Sequence, residues 1–151
     1  MASPGTTELD MRIRPIFRWP AWLLALTLAV LAGCAGNRQL SALEQAQHAW
    51  SAAIRWSDFE GALALVDPGV RAARPVSALE LERYRQVQVS QYRELSSRAG
   101  ETEAVRVVEI GVINRHTMAE RTTRYTERWR YDAQAGRWWL ISGLPDFWAG
   151  E

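Results

Sequence analysis

The apolar pattern of this chain changes period near its middle. Up to about residue 83, apolar side chains recur three and four residues apart. From residue 84 to residue 144 they recur every second residue, in four runs joined by short connections. Helical segments followed by strands imply the α+β class rather than an alternating βαβ fold. Four strands in series on short links must pair antiparallel, because a parallel pair needs a crossover of a dozen or more residues.

The helical half carries its own start signals. Ser41-Ala-Leu-Glu44 reads as a capping box, and Leu43, Ala46, Trp50, Ala53 and Ile54 then share one helical face. Ser57-Asp-Phe-Glu60 reads as a second box, with Phe59, Ala62, Leu63 and Val66 as its apolar stripe. Asp67-Pro68-Gly69 is expected to stop that helix, and Ser77-Ala-Leu-Glu80 opens a third, short one. Strands are expected at 84–95, 104–114, 119–131 and 137–144. In the third, Tyr125, Trp129 and Tyr131 fall on one face and Thr122, Arg124, Thr126, Arg128 and Arg130 on the other. Asp132-Ala-Gln-Ala-Gly136 is a hairpin loop.

This order, closing on Arg137-Trp-Trp-Leu-Ile-Ser-Gly-Leu-Pro-Asp-Phe147, resembles the NTF2-like (SnoaL/ketosteroid-isomerase-like) superfamily over about residues 40–148. The resemblance implies a cone of two to three helices on a curved antiparallel sheet of four or more strands, with an apolar pocket open at one end. It also implies dimerisation through the sheet. Ketosteroid-isomerase-like members use a pocket carboxylate as general base and a Tyr or protonated acid as oxyanion donor. Here the residues available for those roles are Asp58, Glu109 or Asp146 as base and Tyr84 or Tyr125 as donor, and no spacing singles out a pair.

The N-terminal third reads as an address. Arg12, Arg14 and Arg18 precede an apolar stretch of about a dozen residues, the layout of a secretory signal and too short for the roughly 20 residues of a bilayer span. Leu31-Ala32-Gly33-Cys34 resembles the bacterial lipobox, in which the Cys is acylated and becomes the mature N-terminus. The expected organisation is a signal peptide at 1–33, its true start at Met11 or Met1, then the lipidated Cys34 with a short tether to residue 39, and one domain over 40–151. Ala35 in place of Asp resembles an outer-membrane address. Cys34 is the single cysteine, so no internal disulfide forms.

Charge excludes some functions. The 18 basic residues, all Arg, against 17 acidic ones give a net charge of +1, no footprint for nucleic acid. Two isolated His residues and an expected acylated Cys supply no metal-ligand spacing, and there is no nucleophile motif. No metal and no cofactor is expected. The candidate ligand-pocket residues are Trp50, Tyr84, Tyr125, Trp129 and Trp139, rings with polar handles. Arg124, Arg128 and Arg130 form a row suited to an anion, or a solvated face paired across strands to Glu103, Glu109, Glu120 or Glu127, with Arg106 alongside. Trp138 and Trp139 must point to opposite sheet faces, and residues 105–113 are apolar on both. A cover is therefore expected on the outer face: a second copy, an envelope protein or the C-terminal tail. The function expected is a non-enzymatic envelope lipoprotein binding a small apolar ligand or a protein; the alternative is an isomerase or hydrolase working through a pocket carboxylate.

Overall fold

The computed structural model describes residues 38–148; the expected leader, Cys34 and the first part of the tether lie outside the described residues, while residues 38 and 39, expected as tether, are helical. Helix α1 runs over residues 38–55 and buries Leu43, Trp50 and Ile54 along one stripe. Ser41 and Glu44 stand inside this helix, not at its start, because helical backbone already extends back to residue 38. Ser57, at φ 57°, breaks the chain direction after α1. The residue after it becomes the cap of helix α2 (Phe59–Leu63): the Asp58 carboxylate, not the Ser57 hydroxyl, accepts the Gly61 N–H at 2.9 Å.

Asp67-Pro68-Gly69 begins a helix where a stop was expected. The Asp67 carboxylate accepts from Gly69 N at 2.8 Å and Val70 N at 3.2 Å, capping helix α3 (Pro68–Ala73). Proline fits there because the first helical N–H has no partner within the helix anyway. Helix α4 (Ala78–Tyr84) starts with the expected capping box, Ser77 and Glu80 each bonding the other's backbone N–H.

The sheet is one antiparallel meander in the order β1 (Val87–Ala99), β2 (Glu103–Asn114), β3 (Glu120–Asp132) and β4 (Arg137–Leu140). Two register shifts, between Val89 and Gln91 and between Glu94 and Ser96, mark bulges in β1. At the first, β1 presses so close to β2 that a Cβ on Gly111 would lie 2.6 Å from Ser90 Oγ and 3.1 Å from Gln91 Cβ. β4 ends at Leu140, short of the expected 144, and Gly143 (φ 76°) turns the chain away. The far side of β4 is closed by a parallel bridge to Val66, with Leu140 N donating to Leu65 O and Asp67 N to Leu140 O.

Among the described residues, four helices and a four-stranded antiparallel sheet make the expected α+β fold. The core lies between α1, α2 and the inner sheet face. Trp50 sits 6.3 Å from the Tyr125 ring and edge-on to Trp129 at 6.4 Å, with Phe59, Ile110, Trp138 and Leu140 packed around them. Phe147, after the sheet, is also buried, 6.1 Å from Phe59. The space expected to be hollow is thus filled by rings. At about 25 cal/mol per Å² of apolar area, this burial is the main favourable contribution to folding.

The outer sheet face presents Arg124, Arg128 and Arg130 with Thr122 and Thr126, across from Val105, Val107 and Glu109 on β2. Arg106 is on the opposite face, because it pairs in register with the buried Glu127. Trp138 is buried on the inner face and Trp139 lies on the outer one, as their adjacency required.

Candidate functional site

A cleft of about 620 Å³ opens where α2, α3 and α4 meet the segment that follows β4. That volume is in the range of small-molecule sites. Its walls are Leu63, Val66, Val70, Val76, Ile141 and Leu144. The local sequence explains the opening. Leu63 at the end of α2 and Val66 at the bridge to β4 line the cleft, and the Asp67 cap starts α3, which supplies the next stretch of wall. Gly143 lets residues 141–144 leave the sheet as the facing wall.

Polar groups deep in the cleft are already engaged. The Tyr84 hydroxyl donates to Pro145 O at 2.9 Å. The Tyr125 hydroxyl donates to Gly143 O at 2.5 Å and lies 2.8 Å from Ser142 Oγ, which also accepts from Arg128 N at 3.2 Å. Burial, followed by the nearby Asp146 and Glu80 charges, pushes the Tyr84 phenol up to about 12. Burial also raises Tyr125. Both phenols therefore stay protonated at neutral pH.

None of the three candidate base carboxylates lines the cleft. Asp58 is spent on the α2 cap. Glu109 is on the outer sheet face, 2.6 Å from Arg93. Asp146 is exposed and accepts the Trp148 N–H at 2.8 Å. Glu80 does line the cleft, but the Ser77 N–H and hydroxyl bonds hold its carboxyl below the ordinary value. A general base at neutral pH needs the opposite shift.

Of the five candidate pocket rings, the structure places only Tyr84 in the wall of the cleft. Tyr125 reaches it through its hydroxyl bonds to Ser142 and Gly143. Trp50 and Trp129 are fully buried core. Trp139 is on the far side of the sheet, stacked under Arg137 at 3.8 Å. The arginine row is split: Arg130 pairs with Asp67 at 2.7 Å, while Arg124 and Arg128 have no ion-pair partner among the described residues.

The sequence reading missed a buried ionic cluster. Glu127, fully buried on β3, accepts from Arg106 Nε at 2.9 Å, Arg106 Nη2 at 3.1 Å and Trp129 Nε1 at 3.0 Å, and from the Tyr92 hydroxyl. Arg106 also donates to Gln47 O at 3.2 Å, tying the sheet to α1. Burial pushes the Glu127 carboxyl up, against the lowering effect of Arg106 and its hydrogen bonds. One signal was available: Glu127 shares the phase of Tyr125 and Trp129, so the alternation itself placed a carboxylate inside. The described residues hold no group of His, Cys, Asp or Glu arranged for a metal ion.

No protein-family model and no curated protein matches the chain. Solved structures do. A SEC-C motif-containing protein from Rhodopseudomonas palustris is similar at 17% identity and a TM-score of 0.51, over 64% of this chain and 72% of that one. A protein described as a calcium/calmodulin-dependent protein kinase type II association domain, from Thiobacillus denitrificans, is similar at 18% identity and a TM-score of 0.50, over 68% and 94%. A ketosteroid isomerase-like protein from Erwinia carotovora atroseptica has 22% identity and a TM-score of 0.48, over 70% and 92%. At these identities the likeness is one of fold. The chain has the α+β architecture that the NTF2-like resemblance implies: helices packed against one face of an antiparallel sheet.

Proposed function

We propose that the chain is an envelope lipoprotein, anchored through acylated Cys34, whose domain binds a small apolar ligand without transforming it. The observation that carries this reading is the open cleft between α2–α4 and residues 141–144, where Leu63, Val66, Val70, Val76, Ile141 and Leu144 stand beside polar lining residues. Its phenols are protonated and already bonded, and its one carboxylate is held in the ionised form by a helix cap. These features favour holding a molecule over moving a proton, and so count against the isomerase or hydrolase alternative. Acylation supplies the membrane attachment, since two or more acyl chains hold a protein stably where one does not.

Two measurements test this reading. Wild-type protein should take up labelled palmitate and fractionate with membranes, and Cys34→Ser should do neither. Native mass spectrometry of the full chain carrying Cys34→Ser, recovered from a bacterial envelope, should show a small-molecule adduct that Leu144→Arg abolishes. A bare monomer mass would refute the ligand-binding part.

A second reading, an interaction module, is favoured by one observation: the inner space expected to take a ligand is filled by Trp50, Phe59 and Trp129. In that reading a second copy or an envelope protein covers Val105, Val107 and Ile113 on the outer face, and the same spectrum should show a dimer without adduct.

A further inference from the structure

We infer that the ligand of the cleft is an amphiphile: a hydrocarbon body with one anionic head of the carboxylate type, received by Arg71 and Arg74. The inference rests on the ligand-binding reading and specifies its chemistry.

Arg71 and Arg74 both line the cleft. Arg71 is in the last turn of α3 and Arg74 is the cap residue that follows it, and both are exposed. Neither has an ion-pair partner among the described residues, whereas Arg85, Arg93, Arg106 and Arg130 each sit against a carboxylate. Most of the other arginines also lack an ion-pair partner among the described residues, so what sets Arg71 and Arg74 apart is that they line the cleft. Arg71 and Arg74 stand at the lip of an apolar recess. Two planar guanidinium forks there match a bidentate oxyanion.

The rest of the lining fixes the other end of the ligand. The Tyr84 and Ser142 hydroxyls are already bonded within the protein. The part of the ligand that enters the recess therefore meets Val66, Ile141 and Leu144, and neither hydroxyl has a proton left to donate to an anion. A polar group carried inward would lose its water without compensation. The charge must stay at the lip and the apolar body must go in. Glu80 also lines the cleft and stays ionised, so the two arginines leave a net of one positive charge there.

The test is calorimetric titration of the full chain carrying Cys34→Ser with decanoate and with decan-1-ol, which share a chain length and differ in the head. Decanoate should bind roughly ten-fold more tightly at low salt, the scale of a partly exposed charge-assisted pair. Arg71→Gln with Arg74→Gln should bring the two affinities together by weakening decanoate much more than decan-1-ol. Restoring both positions as Lys should recover part of the preference. Equal binding of acid and alcohol by the parent chain would overturn the anionic head while the apolar-cleft reading stands. A preference for decanoate that survives the double substitution would overturn the assignment of Arg71 and Arg74. Failure of both probes to bind would overturn the cleft reading itself. Both exposed substitutions should leave the urea midpoint unchanged, so a lost preference is not a folding defect.

Discussion

Replacing Arg106 with Met should expose how the buried cluster is held together. The substitution keeps most of the side-chain volume and removes the charge. Glu127 then loses its donors at 2.9 and 3.1 Å and keeps those from Trp129 and Tyr92. A buried ion pair broken on one side costs about 3–5 kcal/mol. A domain of this size has about 5–15 kcal/mol in all, so the variant folds with a much reduced margin. With a urea slope of about 1.5 kcal/mol per molar, the midpoint should fall by roughly 2–3 M.

The loss should also depend on pH, with a fixed sign. Burial places the native Glu127 carboxyl above its ordinary 4.5, and removing Arg106 pushes it higher. Between the unfolded and folded values only the native form holds the proton, so stability falls as pH rises through that window. The deficit of the variant relative to wild type should therefore be largest at pH 7.5 and shrink as pH falls towards 4.5. Adding Glu127→Gln to Arg106→Met should recover part of the loss at pH 7.5, since the amide oxygen still accepts while the charge is gone. Urea denaturation followed by fluorescence at both pH values measures all of this. A deficit below about 1 kcal/mol, or one that is the same at both pH values, would refute the picture of an ionised carboxylate held by Arg106.

Asp67→Ala removes the α3 cap and the pair with Arg130; the cap alone should cost about 1 kcal/mol in urea denaturation at neutral pH. Despite opposing burial, the Val70 N–H and Arg130 hold the Asp67 carboxyl below 3.8, so this contribution should persist above that value and vanish as pH falls through the lower, folded one. Gly111→Ala should destabilise by about 1–3 kcal/mol, because its methyl group meets Ser90 Oγ and Gln91 Cβ at the bulge; an unchanged midpoint would mean that β1 relaxes freely there. Trp56→Ser removes a ring that is 85% exposed and should move the midpoint by no more than about 0.5 kcal/mol.

The sequence made the strand half more legible than the site. Alternation in 119–131 places Tyr125, Trp129 and Tyr131 on one face and Thr122, Arg124, Thr126, Arg128 and Arg130 on the other, as observed, whereas Glu127, read as a partner of the arginine row, lies inside; the Asp132–Gly136 loop closes as its composition required, with Gly136 at φ 63°. The Ser77–Glu80 box is where it was read, because its two hydrogen bonds are local. Other local signals were ambiguous. Asp67-Pro-Gly suits a helix start as well as a stop, and only the bridge from Val66 to β4 decides which. The cleft was not legible, because it depends on where β4 ends. Arg137-Trp-Trp-Leu-Ile-Ser-Gly-Leu reads as one continuous strand until Gly143 is seen in the left-handed region. Arg71 and Arg74 carry no pattern of their own; only the departure of residues 141–144 from the sheet turns them into a lip.

The two edges of the sheet have a consequence for crowding. Proteins gathered on a surface meet one another at high local concentration, where an open strand edge invites runaway stacking into fibres. Here one edge strand, β1, is interrupted twice by bulges, and the other, β4, is four residues long and already bridged by Val66. A neighbour has no long, regular row of backbone groups to zip onto.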